Sequence, residues 1–144
     1  MAHSNDALSK MNDAPQLLVA TITTDTTTAG VSHDLSNCID QVVAVVLSVS
    51  GTWTGSLKLA LDEGDVSTTL IPISNDNLRL KDPSTGAYLE PADKLEEAKL
   101  TSNGTVKVAF LKSKKYFKAS VVSADITGSA TVSVIVQYEK ALQI

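Results

Sequence analysis

Along most of this chain apolar and polar residues alternate with a period of two. The last third shows it best. Thr105–Leu111 places Val106, Val108 and Phe110 on one face, and Ala130–Glu139 places Val132, Val134, Val136 and Tyr138 on one side with mostly small polar residues on the other. Successive side chains of a strand point to opposite faces, so this pattern marks strands with one buried face. Tyr116–Val122 forms a strand between them. Nearer the start, Leu17–Thr23 reads as a first strand. Cys38–Ser50 is the most apolar segment; Val42, Val43, Val45, Val46 and Leu47 leave no clean polar face, as in a central strand covered on both sides. Gly51–Gly55 reads as the turn out of it, and Leu57, Leu59 and Leu61 alternate in the next strand. Asp62-Glu63-Gly64-Asp65 reads as a tight turn.

Val66–Ile73 follows as a strand whose Pro72, lacking an N–H, belongs at an end or edge. Leu78 and Leu80 suggest a short strand. Pro91–Leu100, with acids early and a proline suited to a first helical position, reads as two helical turns or a charged loop. Asn103-Gly104 tolerates positive φ and opens the final meander. Roughly eight strands without a helical period predict an all-β fold, an antiparallel β-sandwich or barrel.

The first sixteen residues carry little periodicity and read as a flexible N-terminal arm, with residues 17–144 forming the β-sandwich domain. Fully extended, such an arm reaches about 50 Å, and Leu8, Lys10 and Met11 are its candidate anchors on a neighbour. A chain of 144 residues suits one domain with a core that needs no staples.

Composition narrows the function. The formal charge of −4 offers no basic face for a phosphate backbone, and few aromatics are present for base or sugar stacking, so direct nucleic-acid binding is not expected. Lys112, Lys114, Lys115 and Lys118 form a local basic cluster, read as a solvated strand end that resists edge pairing or as a partner contact. Cys38 is the only cysteine; it fits a small core residue in a reducing compartment, and His33 nearby adds no nucleophile signature. Met1–Pro15 has no apolar signal-peptide core, and no window approaches the roughly 20 apolar residues of a membrane span. Asp62, Glu63 and Asp65 lack calcium-loop spacing, and Glu90, Asp93, Glu96 and Glu97 read as a solvated face. No zinc spacing, phosphate-cradling loop or nucleophile elbow occurs, so neither enzyme activity nor a cofactor or metal is expected. Trp53, between Gly51-Thr52 and Thr54-Gly55, either caps one end of the core or anchors an interface.

Several stretches resemble small β-rich structural proteins of tailed bacteriophages: Val49-Ser50-Gly51-Thr52-Trp53-Thr54-Gly55-Ser56-Leu57, Thr85-Gly86-Ala87-Tyr88, Thr101-Ser102-Asn103-Gly104, Lys115–Ser120 and Ile126–Val134. The chain differs at Lys118 and Ala119, where arginine and an aliphatic residue are usual, and in offering Asp62-Glu63-Gly64-Asp65 after the Trp hairpin. The resemblance implies a jelly-roll-like capsid decoration or cement protein on the exterior of the virion. Such a protein is an oligomer, dimer or trimer, that clamps subunits of the major capsid protein. Candidate partner-binding residues are then Leu8, Lys10, Met11, Trp53, Lys112, Lys114 and Lys115. The competing reading is a receptor- or glycan-binding head of a phage fibre or tail, with Trp53 or Tyr88 as its aromatic platform. An enzyme on a β-sandwich and a tail-tube or connector subunit are further alternatives.

Overall fold

The computed structural model describes residues 16–36, 42–81, 85, 87–89 and 93–138. Its strands, all antiparallel, are β1 (Gln16–Ile22), β2 (Thr27–Ala29), β3 (His33–Asp34), β4 (Val42–Val66), β5 (Thr69–Pro72), β6 (Leu78–Lys81), β7 (Tyr88–Leu89), β8 (Gly104–Leu111) and β9 (Tyr116–Tyr138). A 3-10 turn at Asn75–Asn77 and a single-turn helix α1 (Lys94–Glu97) complete the described elements. The strands form one continuous sheet in the order β1-β9-β4-β8-β6-β7, with β2 and β3 beside β9 and β5 beside β4. This is the all-β, sandwich-like fold that the alternation predicts.

Two strands are far longer than expected. β4 has 25 residues and β9 has 23. Drawn straight, β4 would span about 80 Å, whereas a compact domain of this length has a radius of gyration of about 15 Å. The ribbon therefore has to bend, and it bends where glycine permits. Gly51, Gly55 and Gly128 all have positive φ, as does Asp125, and the β4–β9 register shifts between Thr54 and Ser56. A bulge with positive-φ residues sharpens strand curvature. Gly128 lies directly opposite Trp53, and a Cβ there would stand 2.4 Å from the Thr52 carbonyl oxygen. The bend therefore needs a residue without a side chain.

Each long strand thus serves two layers. In the first, Val42–Val49 of β4 lies between β8 and the second half of β9, which β1 flanks. In the second, Leu57–Gly64 pairs with the first half of β9, flanked by β2, β3 and β5. Val43, Val45 and Leu47 from one layer and Leu57, Leu59 and Leu61 from the other share one buried cluster. The rings of Phe110 in β8 and Phe117 in β9 meet across it at 5.0 Å between centroids, tilted by 54°. Close interdigitation of two inner faces is what stabilises a sandwich.

Three local expectations change. Gly51–Gly55 is a corner within a continuous strand, because the partner strand bends with it. The Tyr116–Val122 run and the Ala130–Glu139 run, the latter as far as Tyr138, belong to one strand for the same reason. Asp62–Asp65 also stays in β4, and the chain reverses at Ser67-Thr68 instead, inside the expected Val66–Ile73 strand, which leaves Val66 as the end of β4 and Thr69–Pro72 as β5. There Gly64 lets the β5 backbone approach, since a Cβ would stand 2.4 Å from the Thr69 carbonyl oxygen, and the cluster makes a register shift rather than a reversal. Pro72 lies on the edge strand β5, where its missing N–H costs no ladder bond. The Pro91–Leu100 segment yields one helical turn, started when the Asp93 side chain accepts from the Glu96 N–H. Cys38 lies outside the described residues.

Candidate functional site

The outer face of the first layer is built from residues that alternate with the core valines. Register sets them in rows. Thr21, Thr131 and Ser50 form one row, and Val19, Ser133, Ser48 and Thr105 form the next. The Ser48 and Thr105 hydroxyls hydrogen-bond across strands at 3.2 Å. A shallow groove of about 240 Å³ runs over these rows, floored by Val49, Val132 and the Gly104 backbone. Further along, Ala44 and Ala109 are adjacent and buried, and Val46 is 8% exposed. No charged residue lies in the two hydroxyl rows. Val19, in contrast, is 57% exposed within its row. Neutral hydroxyls can donate and accept, but they cannot take up a proton near neutral pH. Such a face suits contact with another surface rather than acid–base chemistry.

The opposite end of the molecule carries the lysine loop, residues 112–115, which joins β8 to β9. Acids of β4 hold it. The Ser113 hydroxyl donates to Glu63 Oε1 at 3.1 Å, the Lys115 N–H donates to Asp65 Oδ1 at 3.4 Å, and Lys114 Nζ lies 3.7 Å from Asp65 Oδ2. The Lys115 ammonium stands 5.3 Å from the Tyr116 ring centroid. Exposed Val31, Val66 and Ile71 lie on the loops and hairpin of the second layer, where the Ser32 hydroxyl donates to the Ser67 carbonyl.

Trp53 stands at the corner, half-buried against the core. Its indole N–H donates to Asn103 Oδ1 at 2.8 Å, and the Asn103 amide donates to the Gly51 carbonyl at 2.9 Å. One asparagine thus ties β4 to the start of β8. Trp53 pairs with Gly128, whereas the lysine loop adjoins Gly64 and Tyr116, eleven positions further along β4. Trp53 and the lysines therefore do not form one site. Leu8, Lys10 and Met11 lie outside the described residues. The hydroxyl rows carried a sequence signal, the Thr131/Ser133 side of the alternation. Their neighbours Ser48, Thr105 and Val19 join them only through the register.

The acidic segment after Pro91 is also resolved into roles. Asp93 caps α1. Glu96 accepts from Lys99 at 2.6 Å and from Lys58 at 2.9 Å, and these bonds lower its pKa to about 2 while raising that of Lys99. His33 packs edge-on against Phe117 at 5.5 Å, and burial lowers its pKa, opposed by the nearby Asp34 carboxylate. Asp34 is itself lowered by hydrogen bonds from the Ser36 hydroxyl and N–H. Among the described residues no group of three or more His, Cys, Asp and Glu side chains is placed to hold a metal ion. No described helix is long and apolar enough to cross a membrane.

No family model matches the chain, and no curated protein matches it. The solved structures that are similar in the course of the chain include two of 13% identity. The SPBc2 prophage-derived protein YomS is 13% identical with a TM-score of 0.40, over 83% of this chain and 94% of that one. PirA is 13% identical with a TM-score of 0.44, over 85% of this chain and 92% of that one.

Proposed function

We propose that this chain is a non-enzymatic virion structural protein, a decoration protein that binds the outside of a phage capsid shell and stabilises it by bridging neighbouring subunits of the major capsid protein. The observation that supports the reading most is the outer face of the first layer: two uncharged rows, Thr21/Thr131/Ser50 and Val19/Ser133/Ser48/Thr105, on a sheet whose other side is packed core. These two rows can lie against another protein without desolvating a charge, a cost that burial of an unpaired ion would impose, and the charge on the same face, Lys107 opposite Val46, lies one row beyond them. The sequence motifs around Trp53 and Ile126–Val134 point the same way through their resemblance to phage structural proteins. Repetition over a shell turns weak contacts into firm attachment through effective concentration, and the arm residues Leu8, Lys10 and Met11 supply a second contact.

The test is co-sedimentation of the purified protein with heads of its own phage, prepared without it. Saturable binding and greater resistance of the decorated heads to heat support the proposal. Heads that bind none, or that are equally stable with and without it, refute it. The receptor- or glycan-binding reading requires an open aromatic platform. Trp53 is half-buried and its indole N–H is already bound, so Trp53→Ala should leave host adsorption unchanged.

A further inference from the structure

We propose that β1 is a docking edge for a second copy of this chain, so that two protomers pair β1 to β1 antiparallel and join their first layers into one continuous sheet. The edges of this sheet are not alike. β2, β3 and β7 have three, two and two residues. β5 has four and ends in Pro72. Short strands and proline are the usual guards of an edge. β1 has seven residues, Gln16–Ile22, with neither a charge nor a proline, and among the described residues it pairs only with β9. A strand of that kind presents a row of backbone donors and acceptors to a further strand.

The regular part of the strand fixes the register. A shift separates Gln16 from Leu18, and Gly30 passes so close to the Leu17 carbonyl that a Cβ would stand 3.0 Å from it. The open stretch is therefore Leu18–Thr21, since Ile22 is already buried, and the two-fold axis that sets Val19 opposite Thr21 passes at Ala20. On the inner face Ala20 then faces Ala20 of the second copy, with Leu18 beside it. Leu18 and Ala20 are only partly buried at the rim of the core, so this contact completes the cover. On the outer face the exposed Val19 faces Thr21 of the second copy, a β-branched pair of the kind that stabilises adjacent strands. The occupant is a second copy because an antiparallel strand pair about a two-fold axis is self-complementary. The neutral strand also brings no like charges together, although the chain as a whole carries −4. The hydroxyl rows then run unbroken across both protomers. The inference does not depend on capsid binding.

The experiment is sedimentation equilibrium of the full chain over a wide concentration range, for the wild type and for Val19→Lys/Thr21→Lys. Both side chains are exposed, so the variant should keep the wild-type melting temperature at low protein concentration. In the dimer each new lysine faces a lysine of the second copy, and association should weaken by about 100-fold or more. Register is read in a Cys38→Ser background, where an oxidised mixture of Val19→Cys and Thr21→Cys chains should crosslink far more than either alone. A wild type monomeric at every concentration, a dimer indifferent to the two lysines, or crosslinking equal in the separate samples would overturn the proposal.

Discussion

Gly128→Ala is the sharpest probe of the bent ribbon. Gly128 has φ +81, and an added Cβ would stand 2.4 Å from the Thr52 carbonyl oxygen and 3.0 Å from the Trp53 Cα. Both contacts are with backbone, so no side chain can swing away. Forcing an L-residue into left-handed backbone costs about 1–2 kcal/mol. Shifting a packed backbone to make room adds about 1–3 kcal/mol. The loss should therefore be about 2–5 kcal/mol, against a total stability of about 5–15 kcal/mol for a typical domain. For a chain of this size 1 kcal/mol corresponds to roughly 2–4 °C in melting temperature. Urea unfolding followed by the fluorescence of Trp53, the only tryptophan and the residue directly opposite Gly128, gives the value. Ser129→Ala is the control: it is exposed on the same bend and should stay within about 0.5 kcal/mol of wild type. A Gly128→Ala protein as stable as that control would refute the glycine-dependent corner.

Asn103→Ala removes the acceptor of the Trp53 indole and the donor to Gly51, and should cost about 0.5–1.5 kcal/mol with a shift of the Trp53 emission; an unaltered spectrum would count against the tie. Leu59→Ala, at a side chain 1% exposed between the layers, should cost about 2–5 kcal/mol in the same unfolding assay, and a loss below that range would contradict the two-layer core. Burial lowers the pKa of His33, so the unfolded chain binds its proton more readily than the folded one. The resulting stability is present above the ordinary value of 6.5 and is lost as pH falls through the lowered folded value; melting curves should show this, and His33→Gln should flatten the acid side of the profile. Glu96 titrates at about 2 when folded, so its contribution is present above 4.5 and lost between there and about 2; a carboxyl resonance titrating near 4.5 would contradict the Lys58–Glu96–Lys99 cluster.

Much of the fold was legible because strand periodicity is local. Val106/Val108/Phe110 and Val132/Val134/Val136 declare their inner faces without any partner, and Leu57/Leu59/Leu61 do the same. Whether Gly51–Gly55 is a reversal or a corner is not local. Glycine and threonine serve either, and the decision rests with Gly128, 75 residues away from Trp53 in sequence, which bends the neighbouring strand at the same height. The same holds for Asp62–Asp65, whose acids looked like turn chemistry and proved to anchor the lysine loop through Ser113 and Lys115. The hydroxyl face was half visible. Alternation gave Thr131 and Ser133, but setting Ser48, Thr105 and Val19 beside them requires the strand order β1-β9-β4-β8.

The most direct measurement is cryo-electron microscopy of heads, prepared without the protein and then incubated with it. A decoration protein adds density on the shell exterior where capsomers meet, into which the two-layer body fits with the Val19/Ser133/Ser48/Thr105 face toward the shell. Density confined to the tail or a fibre tip, or shells that stay bare at saturating protein, would contradict it.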